Sequence, residues 1–215
     1  MVTDCIVKRI GNLPFDFSAG TCGTFLINSS PTILLCFALI GPKTVSRRCQ
    51  SLTRRNDDPL SDIKNFVFDA EFEVNKVAIP NSAHPHWLAT IANYFGLPLI
   101  LGGSTGKNKL EMLNTMESPP SWIECEDYPY SNIAGYAVAS TRNSVIYFGG
   151  YSSEEGVVDR VAEFKNLQWN LLGHLAGPRY FHHSIKMRNQ IYLFPGLGAW
   201  KISKYKFFIL IRPNN

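Results

Sequence analysis

The cysteines of this chain are the first residues whose spacing could indicate chemistry. None of the five forms a Cys-x-x-Cys pair, and structural zinc sites usually take their thiolates in such close pairs. We therefore expect no structural zinc. Cys36 and Cys49 flank a Gly-Pro loop, which could bring thiols of neighbouring strands within bridging distance. A Cys36–Cys49 disulfide is one prediction, and burial of both as small apolar side chains is the alternative.

The histidines do not indicate a metal centre. His182 and His183 are adjacent, so in a strand they would point to opposite faces. His84 and His86 could share a face, but Pro85 separates them and no carboxylate lies nearby in the sequence. We expect packing or loop roles for these histidines and no bound metal.

The stretch "GGSTGKNK" resembles a phosphate-binding loop only superficially. Such a loop needs a Gly-Lys pair followed by Ser or Thr and then a helix. Here Lys107 is followed by Asn108, and the next residues are predicted to form a strand. No Gly-x-Ser-x-Gly motif is present, and the acidic run "ECED" is typical of a solvated strand face. We predict neither an enzyme nor a cofactor.

Composition limits the class of protein. The 215 residues are 45% apolar and 18% charged, with a net charge of +4, which indicates a globular chain of one or two domains. Its basic residues come in short pairs without a nucleic-acid-binding signature, so no nucleic-acid partner is expected. No apolar run approaches the roughly 20 residues that span a bilayer. The N-terminus lacks the apolar core of a secretory signal, which favours the cytoplasm, or the cell exterior if the N-terminus is incomplete.

A repeat positions these residues. "PLILGG" and "VIYFGG" recur 47 positions apart, "QIYLFPGLG" follows about 46 later, and Trp122 and Trp169 each lie 19 residues after a Gly-Gly pair. Each period reads as four short strands, the second almost wholly apolar, as expected of a strand buried on both faces. Glycines at its end allow a sharp turn where neighbouring units crowd together.

This pattern resembles the kelch repeat, an apolar run with Gly-Gly, a later aromatic residue and a Trp about every 50 positions. The matching residues are Gly102, Gly103 and Trp122, then Tyr147, Gly149, Gly150, Phe164 and Trp169, then Arg179, His182, Tyr192 and Gly196. The match spans about positions 84–197, with Pro195 in place of a glycine in the last unit. The resemblance implies an all-β, kelch-type β-propeller, an incomplete or partial ring of about three to four four-stranded blades.

The predicted organisation follows the repeat. We expect an N-terminal extension over 1–20, a degenerate first blade with a charged insertion (40–60) over 21–83, kelch-like blades over 84–130 and 131–178, and a truncated blade and tail over 179–215. Closed propellers normally need at least four blades. We therefore expect a fragment of a longer protein, with closure by an irregular blade or a partner chain, or an open arc, as alternatives.

The resemblance implies a protein-interaction module that presents loops to a protein partner and needs no small-molecule cofactor. The loops at the blade ends contain Tyr, Arg and charged residues, types enriched where contacts dominate affinity. The predicted contact residues are Lys107, Tyr130, Tyr151, Glu154, Glu155 and Arg179. The alternatives are a carbohydrate-active enzyme of the galactose-oxidase or mutarotase type, and an extracellular adhesive propeller, which a Cys36–Cys49 bridge and a sugar on Asn28 would support.

Overall fold

The structure is a computed structural model that describes residues 21–27, 30–36, 39–40, 44–45, 47–54, 72–74, 78–105, 107–187, 190–194, 196–198 and 207–209. All regular secondary structure in these ranges is β, which confirms the all-β prediction there. The strands are β1 (Thr21–Ile27), β2 (Ser30–Cys36), β3 (Leu39–Ile40), β4 (Thr44–Val45), β5 (Cys49–Arg54), β6 (Phe72–Val74), β7 (Ile91–Tyr94), β8 (Leu97–Leu101), β9 (Leu110–Asn114), β10 (Ser121–Glu124), β11 (Ala137–Ser140), β12 (Ser144–Ser152), β13 (Gly156–Lys165), β14 (Gln168–His174), β15 (Arg179–Tyr180), β16 (Ser184–Met187), β17 (Gln190–Leu193), β18 (Leu197–Gly198) and β19 (Phe207–Ile209).

The strands form antiparallel sheets that we number in chain order. Sheet I contains β1, β2, β5 and β6, sheet II contains β7 to β10, sheet III contains β11 to β14, and sheet IV contains β16, β17 and β19. Two further pairs, β3 with β4 and β15 with β18, lie outside these sheets. In sheets II and III each strand pairs with the next one along the chain.

The four sheets pack face to face in chain order. Ile91 of sheet II lies against sheet I, where its N–H is bonded to Thr21 Oγ1 at 3.0 Å. Tyr94, which points to the other face of sheet II, meets Phe164 of sheet III at 5.3 Å between ring centroids. Ile191 and Leu193 of sheet IV share a core with the far face of sheet III. The second strands β8 and β12 are thus covered on both faces, which explains their apolar sequences.

Sheet I contains a strand that the sequence did not indicate. Residues 40–60 were expected to be a charged insertion, but β5 lies within them. Its Cys49, Ser51 and Thr53 alternate on the buried face of the sheet, where Cys49 is opposite Cys36 in the β2–β5 register and joined to it by a disulfide. The neighbouring arginines obscure this alternation in the sequence. Residues 1–20 and Asn28 lie outside the described residues.

A single hydrogen-bonded position recurs just before the first strand of sheets II, III and IV. Leu88, Gly135 and Phe181 occupy it, with φ of 61°, 60° and 51°. The Gly135 N–H donates to the Leu88 carbonyl at 3.0 Å, and the Phe181 N–H donates to the Gly135 carbonyl at 2.6 Å. Each linker is therefore tied to the next by the same backbone contact.

The Gly-Gly pairs make room for these linkers. A Cβ on Gly103 would lie 2.4 Å from the Trp87 carbonyl oxygen of its own unit's linker. A Cβ on Gly149 would lie 2.6 Å from the Arg179 carbonyl oxygen of the next unit's linker. Both distances are far inside van der Waals contact, and both glycines have positive φ, so only glycine fits without displacing backbone.

The two repeat tryptophans make equivalent hydrogen bonds. Trp122 Nε1 donates to the Pro80 carbonyl at 3.0 Å, and Trp169 Nε1 donates to the Glu126 carbonyl at 3.1 Å. Both are partly buried on the fourth strand of their sheet. Each indole fixes the segment that leads into its own sheet, so the Trp spacing reflects a repeated contact.

Candidate interaction surface

Loops from sheets II and III gather at the end where β8 and β12 finish, which we call the glycine end. Because the sheets are antiparallel meanders, the loop after each second strand and the linker between sheets lie at this same end. The six predicted contact residues lie in these segments or, for Tyr151, at the end of β12: Lys107, Tyr130, Tyr151, Glu154, Glu155 and Arg179. The turns at Phe95–Gly96 and Asn166–Leu167 lie at the opposite end.

Three aromatic side chains form a row at the glycine end, of which Tyr151 and Phe181 are exposed and Tyr180 is partly buried. Tyr151 is 46% exposed, and its ring centroid lies 5.8 Å from that of Tyr180. Tyr180 in turn lies 4.9 Å from Phe181, which is 48% exposed. We call Tyr151, Tyr180 and Phe181 the aromatic row. Tyr180 and Phe181 were not predicted individually, although their loop was.

The backbone holds this row in place. Tyr151 exchanges two hydrogen bonds with Ala134, its N–H donating at 2.8 Å and its carbonyl accepting at 2.9 Å. Phe181 is fixed by its N–H bond to Gly135, and its ring covers that glycine, so closely that a Cβ there would lie 2.9 Å from a ring carbon. The aromatic rings of Tyr151 and Phe181 are thus exposed, while the backbone of both residues is held by hydrogen bonds.

A second cluster joins Tyr130 to Glu155. The guanidinium carbon of Arg160 lies 4.7 Å from the centroid of the Tyr130 ring, a cation–π distance. Arg160 also donates to Glu155 Oε2 from Nη1 at 3.0 Å, and Ser131 donates to the same carboxylate. The sequence did not indicate Arg160, which lies five positions beyond the loop and connects two predicted residues.

The remaining acidic and basic loop residues are solvent-exposed. Ser152 Oγ accepts the N–H groups of Glu154 at 3.1 Å and Glu155 at 3.2 Å, which fixes the tip of the β12–β13 hairpin. Lys107 is exposed at a positive φ of 55°. The hairpin therefore directs carboxylates to solvent beside the aromatic row.

The structure corrects the expected exposure of Arg179. This residue begins β15 and is only 4% exposed. Its Nε donates to the Gly177 carbonyl at 3.2 Å, and its own carbonyl fills the space beside Gly149. Burial lowers the pKa of its guanidinium. Arg179 therefore shapes the linker that presents Tyr180 and Phe181, and it is not an exposed contact residue.

A buried ionic pair fixes the linker into sheet II. His86 Nε2 lies 2.6 Å from Glu111 Oε2, and His86 Nδ1 lies 2.7 Å from the Gly102 carbonyl oxygen. A carbonyl only accepts, so Nδ1 carries a proton. Glu111 also accepts the N–H groups of Ala83 at 2.9 Å and His84 at 3.1 Å, which favours the carboxylate and leaves the Nε2 proton on His86.

The charge state of Glu111 follows from these contacts. Burial alone would raise its pKa, but the hydrogen bond from His86, the backbone N–H groups and the positive imidazolium together lower the pKa below its usual value. The sequence showed no carboxylate near His86 because Glu111 lies 25 residues further along the chain. The pair has both side chains fully buried and stabilises the linker.

The other histidine of interest is neutral. His182 is buried beside Gly149. Burial, then the charges of Arg179 and His183, lower its pKa to about 4, although the Phe148 backbone opposes this shift.

Among the described residues no three His, Cys, Asp or Glu side chains come together as a metal site. In the same residues no helix is long and apolar enough to cross a membrane.

Comparisons with known proteins bear on the fold alone. No protein-family model matches the chain, and no curated protein matches it either. A solved structure described as "Structure of YjhT" is similar, with a TM-score of 0.51 and 19% sequence identity. The match covers 56% of this chain and 37% of that one, so it spans little more than a third of YjhT. At 19% identity, the similarity shows a shared arrangement of strands alone.

Proposed function

We propose that this chain is a protein-interaction module, part of a kelch-type β-propeller that presents its glycine-end loops to a protein partner. The proposed propeller fold is supported by antiparallel sheets that repeat about every 47 residues. Successive units share the same linker hydrogen bond and the same tryptophan hydrogen bond. The kelch resemblance supplies the family.

The proposed interaction function is supported by one observation: the aromatic row lies at the surface on a backbone that is held by hydrogen bonds. Tyr and other aromatic side chains are enriched among residues that dominate binding energy. A loop that is already ordered loses little conformational entropy on binding. Tyr151 and Phe181 satisfy both conditions, because each is nearly half exposed while its backbone is bonded to the linker that leads into sheet III.

The flanking charges give the surface its chemical character. Glu154 lies exposed at the hairpin tip next to Tyr151, and Glu155 is shared with Arg160. A partner that fits would insert an apolar side chain between the rings and place basic residues over the hairpin. Such rim charges mainly control the association rate and its salt dependence.

Affinity capture with surface variants of the full chain tests this proposal. The test variant is Tyr151→Ala/Phe181→Ala, and the matched control is Phe95→Ala/Leu167→Ala, which removes two exposed apolar side chains at the opposite end. Captured proteins are quantified by mass spectrometry, and thermal unfolding verifies that both variants fold.

The proposal predicts proteins that wild type and control capture equally and that the test variant captures about tenfold less or more weakly still. Equal capture by all three proteins would contradict it. Loss of capture by the control alone would move the binding surface to the opposite end and would also contradict it.

A further inference from the structure

The end of the sheets opposite the glycine end has two tight turns with unusual residues. Phe95 and Gly96 form the two-residue turn between β7 and β8, and Asn166 and Leu167 form the one between β13 and β14. All four residues have a positive φ, from 51° to 87°, which is the pattern of a type I′ turn. Asn followed by Gly is the preferred sequence of that turn. Phe95 and Leu167 therefore occupy positions that suit Asn and Gly.

Burial does not account for these two large side chains. Phe95 is 59% exposed and Leu167 is 57% exposed. A bulky residue in the left-handed conformation is strained, and strain of this kind is found mainly at functional sites. The two turns thus retain apolar side chains at the surface although other residues would form the same turns with less strain.

Two further turns lie at the same end and carry Met116 and Arg142. Met116 follows β9 and is 84% exposed, and its N–H donates to Asn114 Oδ1 at 3.1 Å. Arg142 is exposed between β11 and β12, in a turn closed by the hydrogen bond from the Thr141 N–H to the Ser144 carbonyl at 2.8 Å. Because successive strands of each sheet alternate in direction, all four turns lie at one end of sheets II and III.

Hydrogen bonds between sheets II and III hold these turns next to each other. The Tyr94 hydroxyl accepts the Leu167 N–H at 3.4 Å, and the Tyr94 ring centroid lies 4.8 Å from that of Phe95. The Asn93 N–H donates to Ser140 Oγ at 2.8 Å, which joins the ends of β7 and β11. We call the exposed residues of the four turns the turn surface: Phe95, Met116, Arg142 and Leu167.

The charges at this end favour an anionic partner. Arg142 and Lys186 are exposed, and Lys165, the last residue of β13, is partly exposed. The ion pairs of the described residues include none of these three cations. Glu117 is the acidic residue of the four turns, and it accepts the Ser121 hydroxyl at 2.6 Å. The cations are therefore available to an anionic surface, whereas the hairpin at the glycine end presents carboxylates.

We propose that the turn surface binds an anionic membrane surface, with Phe95, Met116 and Leu167 inserted between the lipid headgroups and Arg142 and Lys165 contacting the headgroups. A lipid interface accepts separate apolar side chains and attracts the cations beside them. A protein partner would instead need a shaped pocket for each side chain. Binding of this kind lies on the bilayer and does not span it. The inference goes beyond the proposed protein interaction, which concerns the glycine end.

Flotation of the full chain with lipid vesicles tests this proposal. One set of vesicles contains equal parts of phosphatidylcholine and phosphatidylserine, and the other contains phosphatidylcholine alone. The test variant is Phe95→Asn/Leu167→Gly, which gives both turns the preferred Asn-Gly sequence and so removes the apolar side chains without weakening the turns. Arg142→Gln tests the charge, and Tyr151→Ala/Phe181→Ala at the glycine end is the matched control. Thermal unfolding verifies that every variant folds.

Wild type and the glycine-end control should bind the phosphatidylserine vesicles equally, and both should bind more weakly at high salt or to phosphatidylcholine alone. Phe95→Asn/Leu167→Gly should bind about tenfold more weakly while unfolding at no lower temperature than wild type. Arg142→Gln should bind about fivefold more weakly.

Three results would overturn the proposal. The first is a wild-type chain that floats with neither set of vesicles or equally with both, and the second is equal binding by wild type and Phe95→Asn/Leu167→Gly. The third is a protein partner that this variant fails to capture although its binding to vesicles matches that of wild type, because the turn surface would then be a protein-binding site.

Discussion

His86 Nε2 and Glu111 Oε2 lie 2.6 Å apart in an environment where neither side chain contacts solvent. The pair connects the linker before β7 to the third strand of the same sheet, and it makes further hydrogen bonds to the backbone of Gly102, Ala83 and His84. A buried charge that loses its partner is costly, so this contact is a sensitive point of sheet II.

Replacing Glu111 with Gln should therefore destabilise the protein and change its response to acid. At neutral pH we expect a loss of about 3 kcal/mol in the free energy of unfolding, because a neutral amide replaces the buried carboxylate that is bonded to His86, Ala83 and His84. The folded-state pKa of Glu111 is below its unfolded value of 4.5. Its stabilising contribution is thus present above pH 4.5 and is lost as the pH falls through the folded pKa.

Urea unfolding at neutral and acidic pH measures both effects. Wild type should lose more stability between the two conditions than Glu111→Gln, because the variant lacks this carboxylate. Glu117→Gln, at an exposed position, is the control and should follow wild type. An identical acid dependence for wild type and Glu111→Gln would show that the pair does not stabilise the folded state.

A methyl group at Gly103 should be far more disruptive than one at Gly96. Both glycines have positive φ, at 86° and 87°, but a Cβ on Gly103 would meet the Trp87 carbonyl at 2.4 Å and one on Gly96 would meet nothing. Gly96→Ala therefore reports the backbone cost alone, about 1 kcal/mol. Gly103→Ala should cost at least about 2 kcal/mol more in chemical denaturation. Equal costs would mean that the linker does not lie against the glycine.

The tryptophan pair offers a test of repeat equivalence. Trp122→Phe and Trp169→Phe each remove an indole N–H that donates to a linker carbonyl, which corresponds to about 1 kcal/mol. Denaturation should show a loss of about this size at both sites, with a further loss at Trp169, whose ring also packs on those of Tyr128, Tyr147 and Phe164. A large cost at one site and none at the other would show that the two contacts are not the same structural element.

Reduction of the Cys36–Cys49 disulfide should destabilise sheet I. The bond links residues 13 positions apart on neighbouring strands, and closure of a loop of this size contributes about 3 kcal/mol in the chain-entropy model. Thermal unfolding with and without a thiol reductant measures the effect, and the double variant Cys36→Ser/Cys49→Ser should be insensitive to the reductant. A reductant effect of equal size in that variant would contradict the assignment.

The sequence predicted those features that depend on a repeated local pattern. Apolar runs ending in Gly-Gly identified β8 and β12, because strands covered on both faces need continuous hydrophobic residues. The Trp spacing likewise indicated a repeated contact. The strand β5 was missed because arginines on both sides of it conceal the alternation of Cys49, Ser51 and Thr53.

Features that depend on long-range contacts could not be predicted in the same way. Arg179 was expected on the surface because it lies in a loop, yet the linker folds back and buries it beside Gly149. Glu111 approaches His86 only through the pairing of β8 with β9. Phe181 is held in its exposed position by the bond from its amide to Gly135, a contact between units that sequence spacing alone does not specify.

Successive linkers are joined by one repeated backbone hydrogen bond, which holds the loops of the glycine end in place. Amide hydrogen exchange at Gly135 and Phe181, followed residue by residue by NMR, tests it most directly. We predict that both amides are protected to a similar degree and approach the protection of amides in β12, although Phe181 lies outside any strand and its ring is half exposed. Exchange of either amide at the rate of an unstructured loop would show that these hydrogen bonds do not hold the linkers together.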